Sequence, residues 1–152
     1  MHGKAAKAKC IVFQCAQIQL AFEIKGIHEI INYVKVERSP LESPLCLGLV
    51  NLRDQIIPLI DFTYLLNKKS YASNDDQKRI IILRLENGYI GLLVDAVEAI
   101  SSFNVDEVMP IPLLNAERSN MFIGCVSFPQ FGEVILLNPQ HVLNKDEIYK
   151  IT

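Results

Sequence analysis

The chain has 152 residues, 50% of them hydrophobic, and a formal net charge of -2 at pH 7. The length favours one domain that buries roughly 70% of the surface exposed by the unfolded chain. No apolar run reaches the roughly 18 to 20 residues that cross a bilayer, the N-terminus lacks the apolar segment of an export signal, and scattered basic residues argue against a nucleic-acid partner. We therefore expect a soluble, cytoplasmic protein.

A first strand pair is predicted near the N-terminus. Residues 18–24 alternate between apolar and polar or small side chains, which is the period of a strand with one face in the core, and they pair naturally with residues 10–15. Cys10 and Cys15 are an odd number of residues apart, so they should face opposite sides of the sheet. The four cysteines lack the close CxxC spacing of a zinc or redox site, and we expect them to be buried and reduced.

The next segments predict a short helix and then a hairpin. Apolar residues between Ile27 and Val34 follow a helical spacing of three, four and seven. Strands are predicted at 46–52 and 55–60, with a turn at Arg53 and Asp54. Asp61 then stands where a helix N-cap belongs.

The second half of the chain repeats this order about seventy positions later. A hairpin is predicted at 79–85 and 89–94 because Asn87-Gly88 favours a tight turn. A short helix is expected at Val97 and Ile100, a further hairpin at 122–128 and 133–137, and a cap at Asn138 before a C-terminal helix.

This duplication predicts a single domain over residues 9–144, made of two repeated subdomains at about 9–66 and 79–144. Residues 67–78 form a polar, flexible connector, and residues 145–152 form a helical tail. Many short strands with short helices between them favour a mainly β protein built from two small barrels.

The sequence contains no recognisable catalytic or cofactor motif. It has no phosphate-binding glycine loop, no GxSxG elbow, and no histidine with a partner at metal-ligand spacing. We expect no enzymatic activity, no metal and no cofactor, although catalytic groups can converge from distant positions.

One segment resembles a known family. From Gly48 to Asp61 the chain reads Gly-x-x-Asn-Leu-Arg-Asp-x-x-x-Pro-x-x-Asp, which is similar to the pattern of CheW-like domains, and the resemblance extends from about Ile11 to Leu143. Asp54 stands where the family usually has glycine, but aspartate tolerates a left-handed turn position better than most residues. The resemblance implies two intertwined, five-stranded, SH3-like β-barrels.

By the same resemblance, the protein would be a non-catalytic adaptor in bacterial chemotaxis. It would couple the cytoplasmic tip of methyl-accepting chemoreceptors to the regulatory domain of a CheA-type histidine kinase, at receptor arrays on the inner membrane. We further expect Arg53 to pair with Glu29 and to brace the docking surface. The residues that this surface would use are Ile27, Glu29, Ile30, Gly48, Asn51, Leu52, Arg53 and Asp54.

Two other functions stay open. The same fold could serve as an adaptor in pilus-driven twitching motility or in another polar signalling assembly. A small ligand-binding barrel or enzyme is the third reading, and it would require a deep polar pocket with perturbed carboxylates or histidines.

Overall fold

The computed structural model describes residues 6–34, 36, 45–67, 76–111, 120–144 and 147, and it is mainly β. Most of the predicted connector 67–78 and of the predicted tail 145–152 falls outside these residues. The strands and the α-helix are β1 (Lys7–Cys15), β2 (Ile18–Glu23), β3 (Ile27–Asn32), β4 (Cys46–Leu52), β5 (Gln55–Asp61), α1 (Phe62–Asn67), β6 (Arg79–Leu85), β7 (Gly88–Val94), β8 (Ala96–Asn104), β9 (Phe122–Phe128) and β10 (Gly132–Leu137).

The ten strands form two five-stranded sheets that exchange strands between the halves of the chain. The first sheet has the order β8-β1-β2-β10-β9, and the second has the order β3-β6-β7-β5-β4. We call them the first and the second barrel. Each order becomes the other when a strand is replaced by its counterpart in the repeat, so the molecule is built with internal twofold pseudosymmetry. The predicted fold of two intertwined barrels is confirmed.

Both halves contain the predicted hairpins. Antiparallel pairing joins β1 to β2, β4 to β5, β6 to β7 and β9 to β10, while β2 with β10 and β5 with β7 pair in parallel. The β4–β5 turn has Arg53 at φ 49° and Asp54 at φ 67°. Two consecutive positive φ values suit a two-residue hairpin turn, whose twist matches that of the strands.

The two short helices predicted after the first hairpin of each half are wrong, because both segments are strands. In β3, Ile27 lies opposite Leu83 and Ile30 lies opposite Ile81, with a register shift between Ile27 and Glu29. His28 is therefore the extra residue of a β-bulge, and it places Ile27 and Ile30 on the same face although they are three residues apart. That bulge gives a strand the spacing of a helix.

The same irregularity explains the second error. In β8, Val97 lies opposite Phe13 and Ile100 lies opposite Ile11, with a shift that leaves Glu98 unpaired. The bulge is thus repeated at the equivalent position of both halves.

The main core lies between the two sheets and holds aromatic residues from strands of the first sheet and from α1, which follows β5 of the second sheet. Phe13 stacks on Phe22 at 5.3 Å between ring centroids and approaches Phe62 at 6.0 Å. Each barrel also has its own apolar interior. Cys15 belongs to the main core whereas Cys10 packs inside the first barrel, which confirms that they face opposite sides of the sheet.

The predicted helix caps form hydrogen bonds. The backbone N–H of Tyr64 donates to Asp61 Oδ1 at 3.1 Å at the start of α1. The N–H of Gln140 donates to Asn138 Oδ1 at 3.0 Å, but the segment that follows is a 3₁₀ turn at Pro139–His141 and not a longer helix.

The edges of the first barrel are joined by backbone hydrogen bonds. The chain continues from β8 through a 3₁₀ turn to Met109, which exchanges two bonds of 2.9 and 2.8 Å with Cys125 on β9. A Cβ added at Gly124 would lie 2.5 Å from the Met109 carbonyl oxygen, so this close approach requires glycine.

No helix among the described residues is long and apolar enough to cross a membrane.

Candidate partner-binding site

The predicted ion pair is present at the mouth of the second barrel. Arg53 Nη1 donates to Glu29 Oε1 at 3.0 Å, and Nη2 donates to Oε2 at 3.3 Å. The Arg53 side chain is 75% exposed and that of Glu29 is 22% exposed. This two-bond arrangement fixes the orientation of both groups as well as their distance.

The pair joins the two edges of one sheet. Glu29 lies on β3 and Arg53 directly follows β4, and these strands are at opposite ends of the second sheet's order. Glu29 lies opposite Ile82, whose side chain is inside the second barrel. Since cross-strand partners share a face, the Glu29 carboxylate stands at the rim of that barrel's interior.

Two rings lie next to this ion pair. The His28 and Tyr89 ring centroids are 4.6 Å apart, with an interplanar angle of 49°. His28 Nε2 is 3.9 Å from Glu29 Oε1. Tyr89 comes from β7, in the other half of the repeat, and packs against the interior of the second barrel.

These groups line a cleft of about 210 Å³ at the mouth of the second barrel. Barrel mouths are common binding sites because the strands hold side chains around a concave surface. The complete lining is His28, Glu29, Leu52, Arg53, Gln55, Ile57 and Tyr89. The cleft is mainly polar, and it pairs one carboxylate with one guanidinium.

The groups with raised pKa values lie on other parts of the molecule. Burial raises the pKa of the Cys15 thiol to about 12, although the hydrogen bond between Cys15 Sγ and Thr63 Oγ1 acts in the opposite direction, and burial raises the pKa of Cys10 to about 11. Burial also raises the pKa of the Asp61 carboxyl, which the backbone N–H groups of α1 partly offset. None of these three residues lines the cleft.

Among the described residues, no group of three or more histidine, cysteine, aspartate or glutamate side chains is arranged to hold a metal ion. The cleft offers hydrogen-bond donors, an ion pair and apolar walls. These are the components of a recognition surface for another molecule.

The sequence matches the model of one protein family. The model of the CheW-like domain matches residues 9–147, which is most of the chain. The chain belongs to the CheW-like domain family.

Two relatives and one solved structure extend the match. The chemotaxis protein CheW of Rhizobium meliloti (strain 1021) is 27% identical over 112 residues, or 74% of this chain and 72% of that protein. The chemotaxis protein CheW of Klebsiella aerogenes is 22% identical over 148 residues, which cover 97% of this chain and 89% of that protein. The crystal structure of the scaffolding protein TtCheW from Thermoanaerobacter tengcongensis has a TM-score of 0.82 at 22% identity and covers 97% of this chain and 94% of that one.

The eight site residues predicted for this CheW-like domain fall into separate places. Glu29, Leu52 and Arg53 line the cleft. Ile27 and Ile30 are half-buried and pack against the main core between the barrels. These two isoleucines therefore lie on the opposite face of β3 from Glu29.

The other predicted residues lie along the β4–β5 hairpin. Gly48 is buried, whereas Asn51 and Asp54 are exposed near its turn. The role of all eight in binding stays a prediction.

Sequence reasoning missed four of the seven residues that line the cleft, namely His28, Gln55, Ile57 and Tyr89. His28 was hidden by the helical interpretation of β3, and Tyr89 comes from the other half of the chain. The apolar spacing of three at Ile27 and Ile30, repeated at Val97 and Ile100, was the available signal for the bulge.

Proposed function

We propose that this protein is a non-catalytic adaptor of bacterial chemotaxis. It couples the cytoplasmic tip of chemoreceptors to the regulatory domain of a CheA-type histidine kinase, and it works in the cytoplasm at receptor arrays on the inner membrane. Membership of the CheW-like domain family and the names of the relatives support this role.

The observation that carries the proposal is the ion pair at the rim of the second barrel. Arg53 is mostly exposed, yet both of its terminal nitrogens are held by Glu29. An exposed ion pair contributes only about 0 to 1 kcal/mol to folding. Its fixed geometry is better explained by a docking surface than by a need for stability.

The strand that carries Glu29 also connects two parts of this surface. β3 is an edge strand, and Ile27 and Ile30 on its other face border the seam between the barrels. A helical hairpin of a receptor lying along β3 would contact apolar groups at the seam and the ion pair at the mouth. A few such anchors, surrounded by polar contacts, are sufficient for specific binding.

Calorimetric titration tests this role directly. The full chain is titrated with the signalling-tip fragment of a chemoreceptor and, separately, with the kinase regulatory domain, both from the same organism. We expect saturable binding of both. Arg53→Ala should weaken receptor binding by at least about tenfold, because the docked receptor would bury the ion pair and the variant would leave Glu29 without its partner there. Lys9→Ala, which removes an exposed cation from β1 on the first barrel, is the matched control.

A charge-swapped variant separates bracing from direct contact. Glu29→Arg combined with Arg53→Glu keeps an ion pair across the same gap but reverses its polarity. Partial recovery of affinity relative to Arg53→Ala would show that the pair braces the surface, and no recovery would show that the guanidinium itself contacts the receptor. Unchanged receptor binding by Arg53→Ala, or loss of its fold, would contradict the proposal. Binding of neither probe by the wild-type protein would point to a different signalling assembly.

A further inference from the structure

The bulge in β3 aims one side chain at the cleft. His28 has no residue opposite it on β6, and bulges next to binding sites commonly redirect a side chain. Its ring lies against Tyr89, and its Nε2 stands 3.9 Å from Glu29 Oε1. The bulge thus places an imidazole between a tyrosine and the carboxylate of the ion pair.

These contacts form a continuous chain from the barrel interior to the surface. Tyr89 packs on the interior of the second barrel, so its ring is the fixed end. His28 lies on that ring, Glu29 stands beside His28, and Arg53 holds Glu29. A displacement of the Tyr89 ring would therefore be transmitted to the Glu29 carboxylate through the His28 side chain.

The repeat within the chain supplies an internal comparison. The first barrel has the same bulge, with Glu98 as its extra residue. The position equivalent to Tyr89 is Gln19, and the position equivalent to Glu29 is Ala99, each seventy residues away. Both barrels have the bulge. The histidine–tyrosine ring contact and the neighbouring glutamate are found at these positions only in the second barrel. The rings are therefore not needed to form the bulge or the barrel.

We propose that His28 and Tyr89 are positioning residues of the receptor-docking surface. They hold the Glu29 carboxylate, and through it the Arg53 guanidinium, in the orientation that the receptor's helical hairpin meets. They also form one wall of the cleft of about 210 Å³. This inference rests on the proposed function. It assigns receptor recognition to the mouth of the second barrel and not to the mouth of the first.

The test compares variants of the two mouths with the same probes. His28→Ala and Tyr89→Leu should each weaken binding of the receptor signalling-tip fragment by about 3- to 10-fold, the effect expected when an aromatic contact is lost. Tyr89→Phe keeps the ring and should restore most of the affinity lost in Tyr89→Leu. Glu98→Ala, at the equivalent bulge, should bind the fragment like the wild type.

A double-mutant cycle distinguishes positioning from a general structural effect. If His28 acts through the ion pair, His28→Ala should cost much less affinity in an Arg53→Ala background than in the wild type. The thermal unfolding midpoint of His28→Ala should stay close to that of the wild type, because the residue is on the surface of an edge strand. Affinity for the kinase regulatory domain should fall less than affinity for the receptor fragment.

Several outcomes overturn the assignment while leaving the adaptor role intact. These are wild-type receptor affinity in both His28→Ala and Tyr89→Leu, additive losses with Arg53→Ala, an equal loss in Glu98→Ala, or a larger loss toward the kinase than toward the receptor. If the wild-type protein binds neither probe, the proposed function fails and this inference fails with it.

Discussion

Replacing Gly124 by alanine should open the first barrel at the place where its edges meet. The new Cβ would lie 2.5 Å from the carbonyl oxygen of Met109 and 2.6 Å from Cγ1 of Val108. The first contact is with backbone, so a side-chain rotation cannot relieve it. The segment carrying Met109 must move away from β9.

The expected cost follows from the bonds that this movement breaks. Met109 and Cys125 exchange two backbone hydrogen bonds, of 2.9 and 2.8 Å. Each contributes about 1 kcal/mol net, so we expect a loss of about 2 kcal/mol in the free energy of unfolding. For a domain of this length, that corresponds to a fall of roughly 4 to 8 °C in Tm.

Urea unfolding followed by far-ultraviolet circular dichroism measures this loss, since the chain has no tryptophan. Gly132→Ala is the matched control, because its φ is 72° and nothing lies within 4 Å of its added Cβ. The control carries only the backbone strain of a left-handed residue, about 1 kcal/mol. If Gly124→Ala is no less stable than Gly132→Ala, the steric argument for the closure is wrong.

Three further predictions concern the hairpin turn, the thiols and the cap of α1. Asp54→Gly should raise the free energy of unfolding by up to about 1 kcal/mol in urea titrations, because φ is 67° at this residue; a loss of stability would contradict this. Iodoacetamide should label the half-buried Cys125 first, since the other three thiols are buried and burial raises the pKa of Cys10 to about 11 and that of Cys15 to about 12; earlier labelling of Cys10, Cys15 or Cys46, detected by peptide mass spectrometry, would contradict this. Burial raises the pKa of Asp61 above its value in the unfolded chain. The carboxyl therefore adds to the free energy of unfolding in acid, where it is protonated, and this contribution is lost as pH rises through the folded pKa. The stability of Asp61→Asn relative to wild type should therefore increase from roughly pH 3 to pH 7, and a difference that is constant or decreases with pH would refute this.

The sequence was sufficient to predict the hairpins because their signals are local. Asn87-Gly88 favours a tight turn, and alternating apolar residues mark the flanking strands. The prediction failed in β3 and β8, where the signal was ambiguous. A bulge brings two residues three positions apart onto one face, and the same spacing is characteristic of a helix.

The candidate site was predictable only in the part that lies in one half of the chain. Glu29 and Arg53 were expected to pair, and they do. Tyr89 was not expected, because it reaches the cleft through β7, a strand of the other half that pairs with β5 and β6 in the second sheet. Such an exchange of strands depends on tertiary pairing, and no local pattern encodes it.

Among the described residues, two kinds of contact bridge the edges of the barrels. In the first barrel, Met109 and Cys125 are held by backbone hydrogen bonds, which do not depend on side-chain identity. Among the residues described in the second barrel, the edge strands are bridged by the side chains of Glu29 and Arg53. A side-chain bridge can be altered by single substitutions without rebuilding the sheet.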